Sequence, residues 1–98
     1  MSKGIIMRIL IIDDDFVSRS KLEALLTVYG DCDTAEDGNK GFEMFEKSHK
    51  DSSSYDLITM DIDMPGISGH EVLSKIREWE EANEIYKQGQ ALIKPRKK

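Results

Sequence analysis

Two groups of carboxylates stand where chemistry would be expected. Asp13, Asp14 and Asp15 follow directly on the apolar run Ile5–Ile12, and Asp61 with Asp63 closes the run YDLITMD. Carboxylates that converge repel one another, so a group of them either takes up protons or binds a divalent cation. Mg2+ suits such a place, because it takes one or two carboxylates, keeps several waters and is completed by phosphate oxygens. A carboxylate beside the cation can also attack phosphorus and form an aspartyl phosphate. Either cluster alone could be solvated loop, whereas two in register at alternate strand ends form a stronger signal.

Alternating strands and helices would bring the clusters together. GIIMRILII is apolar on both faces apart from Arg8, as a central parallel strand must be. From Phe16 to Tyr29, Leu22, Leu25, Leu26 and Tyr29 recur at helical spacing, and Gly30 stands where a C-cap would sit. Asp31–Ala35 reads as a short strand, Asp37-Gly38 as a turn, and Gly41–His49 as a helix burying Phe42 and Phe45. Tyr55–Asp61 is the third strand. Ser68 and Glu71 have the spacing of a capping box, ahead of a helix that buries Val72, Leu73, Ile76 and Trp79. Three strand-helix units end near residue 86, and Gly89–Lys94 leaves room for one more strand. Such units predict an α/β fold, with a parallel sheet, right-handed crossovers and ligands beyond the carboxyl ends of the strands.

Composition limits the function classes. A chain of 98 residues with 39% hydrophobic and 34% charged residues holds one domain. Its net charge is −5, and residues 91–98 carry four cations and no acid, which leaves −9 on the first ninety. That acidity argues against nucleic acid or anionic lipid as partners. The tail KPRKK reads as a frayed, soluble end. The sequence contains one cysteine, Cys32, and reads as a small buried hydrophobe in a reducing compartment. Nothing approaches the about 18 apolar residues of a membrane span, and the start lacks a signal-peptide pattern, so the expectation is a cytoplasmic protein without membrane contact. His49 and His70 have no metal-ligand spacing and read as surface residues, and Asp15 suits an N-cap.

The segments RILIIDDDFVSR, AEDGNKGFEMFE and YDLITMDIDMPGISGHEVLSKIRE resemble the receiver domain of two-component response regulators, over about residues 7–80. The resemblance implies a flavodoxin-like doubly wound parallel sheet, here with strand order 2-1-3, one C-terminal strand and three helices. It implies Asp61 as the acceptor of phosphate from a sensor histidine kinase or phosphotransfer protein. It also implies Mg2+ held by Asp13, Asp14, Asp61 and the backbone carbonyl of Asp63. Met64, Pro65 and Gly66 then shape the loop after the acceptor, Pro65 by stiffening the backbone and Gly66 by permitting a turn. Such a chain is a phosphoacceptor that assists its own phosphotransfer, not a turnover enzyme.

The ending departs from the family. Receivers have five strand-helix units, the fourth strand ending in Ser or Thr and the fifth in a Lys-Pro pair. Here three units and a fourth strand are present, no Ser or Thr follows Ser74, and residues 87–98 form an atypical ending with a basic tail. The expectation is a single truncated receiver domain over 1–98. Two placements of QALIKP stay open: a fourth strand directly after the third helix, or the family's final strand with Lys94-Pro95 as its Lys-Pro pair. Lys94 is accordingly a candidate phosphate partner. Helix faces and a sheet edge left bare would favour a homodimer or larger assembly. The alternative function is a phosphorylation-defective receiver serving as an interaction module. A more remote one is a haloacid-dehalogenase-like phosphatase fragment, whose D-x-D pair Asp61 and Asp63 imitate, although Pro65 stands where that family usually has Thr or Val. An EF-hand is excluded by Pro65 and Val72 at ligand positions.

Overall fold

A computed structural model describes residues 7–83 in full and residues 90–94 as backbone. The elements run β1 (Met7–Ile12), α1 (Phe16–Leu26), β2 (Gly30–Ala35), α2 (Gly38–Lys50), β3 (Leu57–Asp61), α3 (Gly69–Ala82) and β4 (Gln90–Lys94). All described pairings are parallel, in the order β2-β1-β3-β4. The expected order 2-1-3 with one further strand is therefore present, with three helices among the described residues. Ile5, Ile6 and residues 84–89 lie outside the described residues.

Strand β1 is central, and its apolar run serves both faces. Side chains two apart share a face, so Leu10 and Ile12 join Ile58, Met60, Phe45, Val72 and Ile76 in the core under α2 and α3. Ile9 and Ile11, also fully buried, point to the opposite face, where α1 packs chiefly on β1 and β2. Helices α2 and α3 pack on each other, and the approach of α2 to α3 and to β1 requires small residues. A Cβ on Gly38 would lie 2.6 Å from Val72 Cγ2, and one on Gly41 would lie 2.3 Å from Ile12 Cδ1.

Several local expectations need correction. Helix α1 stops at Leu26, Thr27 is its C-cap, and Gly30 opens β2 instead of capping the helix. None of its residues is fully buried, and Leu25 and Tyr29 are exposed. Among the described residues no second helix packs closely beside it, so α1 covers the sheet beneath, and a stripe as wide as Leu22–Leu25–Leu26–Tyr29 is not needed. Helix α2 begins at Gly38, three residues earlier than expected, because the Asp37 carboxylate caps it by accepting the Lys40 N–H at 2.7 Å. The capping box of Ser68 and Glu71 forms as the spacing predicted.

Arg8, the polar break in β1, belongs to a network at the start of the strand. Its guanidinium pairs with Asp33 at 2.9 Å, donates to Ser53 and lies 4.5 Å from the centre of the Tyr55 ring. The Tyr55 hydroxyl donates to Asp33 at 2.7 Å. Burial and the Asp33 carboxylate together push the Tyr55 pKa up to about 12. The Arg8 N–H donates to the Asp56 carboxylate and the Asp56 N–H to the Arg8 carbonyl, which ties the same end of β1 to the approach to β3. Among the described residues, no helix is long and apolar enough to cross a membrane.

His49 is also not a plain surface residue. Its ring sits 4.8 Å from Phe45 and 5.0 Å from Trp79, at the seam of α2 and α3. Burial lowers its pKa from the ordinary 6.5, with the nearby Glu80 charge opposing. The unfolded chain therefore takes up the proton more readily than the folded one, so this contribution to stability is complete above pH 6.5 and is lost as pH falls below it. Urea midpoints compared at about pH 7.5 and about pH 5.5 should show an acid-side loss that shrinks in His49→Phe and persists in His70→Gln.

Candidate functional site

The β1–β3 pairing sets the site. Ile12 lies opposite Met60 in the register, so the next residue of each strand, Asp13 and Asp61, emerges at the same end of the sheet. Asp14 follows in the turn to α1. One carboxylate oxygen from each of Asp13, Asp14 and Asp61 falls within 4.8 Å of the others. Asp13 and Asp61 are 1% and 4% exposed; water therefore screens their mutual repulsion poorly, and the set suits a hard divalent cation. Oxygen donors alone, all anionic, match Mg2+ better than a softer metal.

Asp13 and Asp61 each accept from a backbone N–H two residues on. The Asp13 N–H extends the ladder to the Ala35 carbonyl at 3.1 Å, and Asp13 Oδ1 accepts the Asp15 N–H at 3.0 Å. Asp15 points away as the N-cap of α1, its carboxylate accepting the Ser18 N–H at 2.8 Å, which agrees with its expected capping role. Asp61 Oδ1 faces the Asp63 N–H at 3.3 Å. The Asp63 side chain is exposed and stands outside the three-carboxylate group.

The loop after Asp61 divides into an anchor and a turn. Met64 is buried in the core, whereas Pro65 and Gly66 are exposed. Gly66 adopts φ +85°, a conformation that side-chain-bearing residues rarely take. The chain then returns so closely that the Gly69 N–H bonds the Ile62 carbonyl at 3.0 Å. A shallow cavity of about 500 Å³ opens beside the acids, lined by Asp14, Glu36, Asp37, Asn39, Pro65 and Gly66. Lys94 falls opposite Asp61 in the β3–β4 register, and its side chain lies outside the described residues.

Sequence reasoning missed Arg19. Its Nη1 donates to the Asp13 backbone carbonyl at 2.8 Å, a contact between a helix side chain and a strand end that no spacing rule announces. Cys32 is half-buried, and burial raises its thiol pKa, in keeping with a packing role.

A family model described as the response regulator receiver domain matches residues 9–87. The hybrid signal transduction histidine kinase F of Dictyostelium discoideum is 43% identical over 77 residues, covering 78% of this chain and 6% of that protein. The chain thus spans a small fraction of the length of that relative. The receiver domain of the Arabidopsis thaliana histidine kinase CKI1, complexed with Mg2+ and BeF3-, matches with a TM-score of 0.74 at 23% identity, over 89% of this chain and 65% of that one. The receiver domain of the Saccharomyces cerevisiae response regulator Ssk1, in complex with the histidine phosphotransfer protein Ypd1, matches with a TM-score of 0.73 at 22% identity, over 92% and 62%. At these identities the structural likeness carries the fold.

The close return at Gly69 makes a test of how the acid end of β3 is held. A Cβ there would lie 2.6 Å from the Asp61 carbonyl oxygen, a backbone atom that cannot step aside. Gly69→Ala should cost about 1–3 kcal/mol in urea unfolding. Gly66→Ala has open space around the new Cβ and should cost about 1 kcal/mol, through its backbone angle alone.

Proposed function

The chain belongs to the response regulator receiver family, and on that premise we propose that it accepts phosphate on Asp61 in two-component signalling. The observation that carries this reading is the convergence of the Asp13, Asp14 and Asp61 carboxylates at the carboxyl ends of adjacent strands. Asp61 acts as nucleophile. One of its oxygens forms a bond to phosphorus, the bond from phosphorus to the donor histidine nitrogen breaks, and its electron pair stays on the imidazole. The Asp63 N–H at Asp61 Oδ1 helps to orient the carboxylate.

Asp13, Asp14 and Asp61, with the backbone carbonyl of Asp63, would hold Mg2+. Bound there, it would offset the negative charge shared by the nucleophile and the phosphoryl oxygens. The receiver of CKI1 in complex with Mg2+ and BeF3- supports this choice of cation. Lys94, opposite Asp61 in the register, is the residue assigned to the phosphoryl group on the β4 side.

The donor is the phosphohistidine of a sensor kinase or phosphotransfer protein. Support comes from the Ssk1 receiver, seen with its phosphotransfer protein, and from the exposed Phe16 and Val17 at the start of α1, which offer apolar surface beside the acids. Leu25, Val28 and Tyr29 form a second exposed apolar group at the other end of α1 and support self-association. The acidic balance supports protein partners rather than nucleic acid. The sparse use of cysteine supports a cytoplasmic setting.

Incubation with a small phosphodonor and Mg2+ should add one phosphoryl group, detected by intact mass, and Asp61→Asn or chelation should abolish it. No labelling of the wild-type chain at any Mg2+ concentration would instead favour a receiver-like interaction module. Sedimentation at micromolar concentration should show a dimer or larger species, and a monomer would remove the self-association part of the reading.

A further inference from the structure

The turn that carries two of the three acids is closed from outside by a side chain of α1. Arg19 is half-buried, and its Nη1 reaches back to the Asp13 carbonyl at 2.8 Å. Its guanidinium carbon lies 5.5 Å from the centre of the Phe16 ring, one helical turn earlier. Phe16 is 69% exposed, so the ring gains little from burial where it lies; stacking on the guanidinium is a contact it does make.

Around this tie runs a circuit of short bonds. The Asp15 N–H donates to Asp13 Oδ1, the Ser18 N–H to the Asp15 carboxylate, and the Arg19 N–H to the Asp15 carbonyl. Arg19 completes the circuit by joining the first helical turn to the last ladder residue of β1. The Asp13 carboxylate takes its direction from this turn, because one of its two oxygens is engaged by the Asp15 N–H.

We infer that Arg19 is a positioning residue, which holds the Asp13–Asp15 turn so that the Asp13 and Asp14 carboxylates stay directed at Asp61. The Mg2+ part of this inference rests on the phosphoacceptor reading, and the turn part does not. Charge and geometry act with opposite signs. A guanidinium near a cation site repels the cation, so if Arg19 acted by charge alone, Arg19→Met would bind Mg2+ more tightly. If Arg19 holds the turn, its loss lets the mutually repelling acids splay and Mg2+ binds more weakly.

Two measurements on the full chain decide it. In metal-free protein, amide exchange by NMR should be faster by about 10-fold or more at Asp15 in Arg19→Met, with Ile11 and Ile58 in the sheet unchanged. Titration with Mg2+ alone, followed by calorimetry, should show affinity weakened by about 10-fold. Arg19→Lys, which keeps the charge and a donor but not the planar stack on Phe16, should fall between. Labelling of Arg19→Met by the small phosphodonor should need more Mg2+ while reaching the wild-type rate at saturation. Unchanged protection at Asp15, or equal or tighter Mg2+ binding in Arg19→Met, overturns the inference. A wild-type chain that takes no Mg2+ overturns the metal reading of the site, and the exchange measurement then decides the role of Arg19 by itself.

Discussion

The parallel register of β1 against β3 is the constraint on which the rest depends. With Ile12 opposite Met60, the acids that follow must meet at one end of the sheet, with side chains almost withdrawn from water. Convergence of this kind is unfavourable in itself, since like charges in a poorly screened place repel. It persists because the strand residues next to the acids, 9–12 and 58–60, are buried, and slipping the register to separate the carboxylates would disrupt their packing.

Around that convergence the chain spends its local hydrogen bonds on holding loops still. Asp15, Asp37 and Ser68 each cap the helix that follows a strand, so all three turns at the acid end of the sheet are closed by side-chain acceptors. The loop after Asp61 adds to its Ser68 cap a buried Met64 at one end and the tight return to Gly69 at the other. The opposite end of the sheet is pinned by charge and aromatic contact through Arg8, Asp33 and Tyr55.

Much of this was legible from residue order. An apolar run ended by acids, twice, marks parallel strands whose carboxyl ends gather ligands, and S-x-x-E before an apolar stripe marks a helix start. The failures share a cause. Leu25 and Tyr29 fit the helical period, yet burial requires a second surface to cover them, and periodicity does not say whether one exists. Arg8 looked like an interruption because its partners Asp33, Ser53 and Tyr55 are distant in sequence. His49 lacked metal-ligand spacing and so read as surface, although its ring contacts include Trp79 from another helix.

The sequence by itself determined the alternation of strands and helices, the caps at Asp15 and Ser68, the family and the identity of the acids, because these depend on neighbours within a turn or two of the chain or on short motifs. Only the tertiary structure decided which acids converge and that Arg19 closes their turn. Those outcomes depend on strand adjacency and on side chains crossing from helix to strand end, and the energy of such contacts is set by distance in space, on which order along the chain places almost no limit.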